Sequence, residues 1–127
     1  MQTRQINADD APKPAGAYAQ AVEATGATRM LFISGQVGVD LHGGTPADAV
    51  AQNRLVWTNL TAQLRAAGMT VDNLVKITTI LPDFGDLQAA RIARGEFMGD
   101  RRIASTLIVA GLANPAWKVE VEAIAVA

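Results

Sequence analysis

The 127-residue chain contains no cysteine, which excludes disulfides, thiolate nucleophiles and thiolate metal sites. Redox chemistry therefore says nothing of its compartment. It has one histidine, His42, in the turn sequence Leu41-His42-Gly43-Gly44, so Ser/His/Asp relays and multi-histidine metal centres have no partners. Aromatic residues make up 5% of a chain that is 50% hydrophobic, so the core must be built from Ala, Val, Ile and Leu with little surplus bulk. Burial against partner subunits would supplement it. No apolar run approaches the about 18 residues of a membrane span, and no basic segment followed by an apolar one opens the chain, so neither span nor signal peptide is read and the cytoplasm is the expected compartment. A formal charge of −1 provides no basic face for phosphate backbones, and Arg101-Arg102 is only a local pair. The glycines follow neither the phosphate-loop nor the dinucleotide pattern. No cofactor, metal, nucleic acid or membrane is expected as a partner.

What is present fits one α+β domain spanning residues 1–127, since the hydrophobic period alternates between two and about 3.6. Thr3 to Ile6, Ala17 to Glu23 and Met30 to Ser34 read as short strands forming an antiparallel start. Thr45 reads as a helix N-cap, with Pro46 at the first helical position and Asp48 three residues after the cap. Val56, Leu60, Leu64 and Ala67 form the apolar stripe of that helix, which Gly68 ends. Leu74 to Leu81 alternates as a strand that Pro82 terminates. Asp86 reads as the cap of a second helix carrying Leu87, Ala90, Phe97 and Met98. Two C-terminal strands complete a βββαβαββ order, with both helices on one sheet face. The other face then has no cover within the chain, which predicts a homo-oligomer.

Three blocks carry a resemblance over nearly the whole chain. They are Pro14-Ala15-Gly16-Ala17-Tyr18-Ala19-Gln20-Ala21-Val22, then Leu31-Phe32-Ile33-Ser34-Gly35-Gln36-Val37-Gly38, then Ser105-Thr106-Leu107-Ile108-Val109-Ala110-Gly111-Leu112 with Lys118-Val119-Glu120-Val121-Glu122-Ala123-Ile124-Ala125. The chain resembles the RidA (YjgF/YER057c/UK114) family, also described as endoribonuclease L-PSP-like. The resemblance implies a chorismate-mutase-like sheet and a barrel-like homotrimer whose clefts lie between subunits and take a small-molecule ligand.

The resemblance also assigns roles residue by residue. Tyr18 matches a cleft tyrosine whose ring would wall a small apolar substrate tail, or else pack a subunit contact. Ser34 and Gly35 match donors beside the substrate, with Gln36 bracing them; a turn ending the strand explains them equally well. Glu120 matches the glutamate that positions or activates the hydrolytic water, the alternative being a solvated strand face. Period two puts Lys118, Glu120 and Glu122 on one side of the strand, and Glu122 would pair with Lys118 or an arginine. Trp117 would narrow the cleft mouth or fill a subunit contact.

Ala104 departs from the pattern. In family members that deaminate enamines and imines, an arginine stands there, before the pair matching Ser105-Thr106, and clamps the substrate carboxylate. A methyl group makes no bidentate, charge-assisted bond, and losing such a clamp costs about 2 to 4 kcal/mol. Arg91, Arg101 and Arg102 are candidate substitutes, and Arg91 is preferred because it borders the apolar stripe of the second helix; the alternative is a snorkelling surface arginine. Three functions stay open: an enamine or imine deaminase of altered specificity, a non-catalytic ligand-binding trimer, and, against the charge balance, an endoribonuclease or translation inhibitor.

Overall fold

The computed structural model describes all residues, Met1–Ala127. The first helix, α1 (Ala49–Ala66), starts where Asp48 can cap it, its carboxylate accepting from the Ala51 amide at 2.8 Å. The expected start at Thr45 and Pro46 is therefore corrected by three residues: the Pro46 carbonyl is engaged instead by the side chain of Gln52, at 2.7 Å. At the other end Gly68 adopts φ +70°, the left-handed conformation that ends a helix without steric cost. Val56, Leu60 and Leu64 are fully buried as the stripe predicts. Trp57 joins them and stacks on Phe97 of α2 (Leu87–Met98), with ring centroids 6.0 Å apart. Asp86 stands at the N-terminus of α2 but makes no capping bond. Asp83 caps the preceding turn instead, through the Gly85 amide. No helix is long and apolar enough to cross a membrane.

Both helices lie on one face of a four-stranded sheet of order β3-β6-β4-β5, formed by β3 (Met30–Val37), β4 (Leu74–Leu81), β5 (Ala104–Val109) and β6 (Glu120–Val126). β6 is antiparallel to both neighbours, and β4 and β5, joined through α2, are parallel. β1 (Gln2–Ile6) and β2 (Ala21–Thr25) form a separate hairpin. A single parallel bridge, Ala19 to Ala104, ties the approach to β2 to the outer edge of β5. The element order is the expected βββαβαββ, and β1 and β2 pair antiparallel as expected, but β3 does not join them and instead takes the edge of the main sheet opposite β5. The strand expected from Ala17 begins only at Ala21. Before that the backbone turns at Gly16 to Tyr18, and its Gly16 and Ala17 carbonyls accept from arginine side chains instead of a neighbouring strand.

Residues paired across the ladders share a face. Ile33, Ile77, Val121, Ala123 and Ala125 point under the helices and form the core. The opposite face carries Phe32, Ile124, Glu122, Glu120, Lys76, Thr78, Ile80, Ala104, Thr106 and Ile108. Nothing in the chain covers it, and Phe32 is 69% exposed.

Between the helices, Arg54 forms a forked ion pair with Glu96, at 2.7 Å and 2.9 Å. The Arg54 hydrogen bond is the main cause that holds the Glu96 carboxyl below the ordinary glutamate range. A depressed folded-state value means that the pair stabilises above the unfolded glutamate value of about 4.3 and that this contribution is lost as pH falls through the lower, folded value. Below about pH 4.5, the melting temperature of the native chain is expected to fall more steeply than that of Glu96→Gln in paired thermal melts.

Candidate active site

The β3–β6 ladder shifts register between Ile33 and Gln36: Ile33 pairs with Ala123 and Gln36 with Val121, so Ser34 and Gly35 together oppose Glu122 alone. This is a β-bulge. A Cβ built on Gly35 would lie 2.6 Å from both Cδ and Oε2 of Glu120, so the Glu120 side chain rests against the bulge backbone and any residue larger than glycine would displace it. The Gln36 amide donates to the Ser34 carbonyl at 2.9 Å and braces the turn. Ser34, Gly35 and Glu120 are thus brought together, with Glu120 half-buried and Ser34 exposed. Glu122 lies beside them on the same face, exposed and without an ion-pair partner.

A second group gathers at the start of β5. The Ala19 amide donates to the Ile103 carbonyl at 2.9 Å and Ala19 bridges to Ala104, so half-buried Tyr18 directly precedes the residue that meets β5. The Tyr18 hydroxyl accepts from the Ala15 amide at 3.3 Å. Two arginines fix this loop. Arg94 of α2 donates to the Ala17 carbonyl at 2.7 Å and to Ser105 Oγ at 3.3 Å, and Arg102 donates to the Gly16 carbonyl at 2.9 Å. Burial pushes the Arg94 guanidinium down from the ordinary arginine value, yet arginine stays a cation at any working pH. Arg91, the α2 residue favoured from the sequence, is exposed and makes no hydrogen bond; Arg94, one turn later, is the one that reaches β5. Its position four residues after Ala90 and three before Phe97 was the available signal. Arg101 is paired with Asp72 and bonded to the Met98 carbonyl.

The family model described as Endoribonuclease L-PSP matches residues 8–127. The chain belongs to the RidA family. Protein DfrA of Myxococcus xanthus is 37% identical over 99% of this chain and 97% of its own length. The mouse protein named 2-iminobutanoate/2-iminopropanoate deaminase is 36% identical over 95% of this chain and 89% of its own. Among solved structures, the Rid-family protein YyfB of Yersinia pestis superposes with a TM-score of 0.85 at 30% identity, covering all of both chains.

In this RidA-family chain Glu120 and Ala104 occupy one sheet face with β4 between their strands, Glu120 in register with Ile80 and Ala104 with Lys76, so their backbones are offset by about 10 Å across the sheet and about 13 Å along it. Within that gap lies Lys76. It is the register partner of Ala104, and its ammonium donates to Thr106 Oγ1 at 2.6 Å. Sequence patterning alone gave Lys76 no role.

The loop into β6 carries Trp117, half-buried, and is held by a fully buried amide. Gln52 of α1 donates to the carbonyls of Pro46 and Ala116 and accepts from the Lys118 amide at 2.8 Å. Gly38 packs so closely on Gln52 that a Cβ there would lie 2.9 Å from its Cβ. Gln52→Leu leaves two carbonyls and one amide without partners, so a loss of about 2 to 4 kcal/mol is expected in denaturant unfolding. Gln52→Leu equal in stability to the native chain would show that this contact does not set the loop.

Proposed function

We propose that the chain hydrolyses small reactive imines or enamines to a carbonyl compound and ammonia, in clefts between the subunits of a homotrimer. The observation that carries this reading is the seating of Glu120 on the Ser34–Gly35 bulge, which fixes a half-buried carboxylate at a face with no cover of its own. A carboxylate so placed accepts a proton from water as the oxygen attacks the imine carbon, and returns it to nitrogen as the carbinolamine collapses. Water supplies the carbonyl oxygen, and the C–N bond breaks to release ammonia. The family membership and the name of the mouse relative support the same chemistry. Tyr18 and Trp117 would wall the cleft, with the backbone of Ser105 and of Ser34–Gly35 beside the substrate.

The exposed Phe32 and Met30 and the partly exposed Ile108 are the apolar patches that a second copy would cover. Sedimentation is expected to report three times the 13.3 kDa of one chain. A mass of one chain at micromolar concentration would remove the shared clefts.

Ala104 favours a second reading, a trimer that binds a ligand without turning it over. Ammonia release from a panel of carboxylated and uncarboxylated imines separates the two. The native chain is expected to accelerate it, with Glu120→Ala slower by about 100-fold or more. A silent native chain that gains activity as Ala104→Arg would leave the binding reading in its place.

A further inference from the structure

We propose that Lys76 is the residue with which this chain holds the anionic group of its ligand, in the place left open by Ala104. This rests on the cleft reading above and adds the contact that the missing guanidinium would have made.

Lys76 and Ala104 are directly paired on the parallel β4–β5 ladder, and Thr106, the next residue on the same face, is paired with Thr78. The Lys76 stem therefore crosses the sheet to Thr106 Oγ1, at 2.6 Å, past a side chain no larger than a methyl. An ammonium has three N–H donors and one is used on Thr106, so two remain. Since Thr106 Oγ1 accepts from the ammonium, its own O–H proton is turned elsewhere and is a further donor at the same spot. Several donors and a full positive charge thus converge beside Ala104 and suit a carboxylate.

No carboxylate of the chain lies within ion-pair distance of Lys76. The four ion pairs are Arg4–Glu23, Lys13–Asp9, Arg54–Glu96 and Arg101–Asp72, and none includes Lys76. The carboxylates sharing its face are Glu122, in register with Thr78, and Glu120, in register with Ile80; Glu120 is folded back on Gly35.

The other cations near β5 are turned away from Ala104, toward the helix side, a loop carbonyl or a carboxylate. Arg94 reaches Ser105, which is paired with the core residue Ile77 and so belongs to the helix side. Arg102 is held by the Gly16 carbonyl and Arg101 by Asp72.

The test is equilibrium binding of 2-oxobutanoate and of its neutral amide, 2-oxobutanamide, by calorimetry or NMR titration, with thermal melts confirming that each variant is folded. The native chain is expected to prefer the carboxylate. Lys76→Met is expected to weaken 2-oxobutanoate by about 10- to 100-fold and to change the amide by less than about twofold, and Lys76→Arg to restore most of the loss. Thr106→Val is expected to weaken the carboxylate selectively but less. The proposal is overturned if Lys76→Met leaves 2-oxobutanoate binding unchanged, weakens both ligands equally, or if the native chain shows no carboxylate preference. Because binding is read without turnover, an inactive protein that holds 2-oxobutanoate through Lys76 removes the deaminase reading alone. A working deaminase indifferent to Lys76→Met removes this proposal alone.

Discussion

The buried side-chain amide of Gln52 is the constraint on which the site depends. It is fully excluded from water and every one of its bonds goes to backbone, joining α1 to the segment that enters it and to the loop before β6. An unsatisfied amide in that position would be costly, so the three segments are locked in mutual register or the core does not close. Asn59 acts likewise at the end of β3, where its amide donates to the carbonyls of Val37 and Val39. The long helix thus holds both strands that form the Glu120 pocket through polar contacts, while Val56, Leu60 and Leu64 supply the apolar burial.

That scaffold presents chemistry on the face away from the helices. One end offers a carboxylate braced by a bulge. The other offers an ammonium braced by a threonine hydroxyl, next to a loop that two arginines pin through its carbonyls. The separation of the two groups by β4, and the absence of any cover, are what give a second copy of the chain its part in our reading. Specificity in this reading is redistributed: a rigid fork at position 104 is exchanged for a flexible point charge from the neighbouring strand.

Much of this was legible in the sequence, for identifiable reasons. Element order and the α1 stripe followed from periodicity, because Val56, Leu60 and Leu64 recur where a helix buries one face. Ser34, Gly35 and Glu120 were singled out through family blocks, and they do meet. The cap at Asp48 was misplaced because a proline near a threonine is a strong local signal, yet Gln52, held across the fold by the Ala116 carbonyl, engages the Pro46 carbonyl and overrides it. The β5-edge position of the hairpin and the roles of Lys76 and Arg94 depend on which strands become neighbours. That is a long-range outcome that no spacing along the chain encodes.

The most direct measurement is ammonia release from 2-iminobutanoate generated in place, followed across substrate concentration for the native chain and Glu120→Ala. Saturable acceleration by the native chain is expected, with Glu120→Ala losing kcat while keeping KM within a few-fold. No acceleration over buffer by the native chain, or full activity in Glu120→Ala, would contradict imine hydrolysis through Glu120.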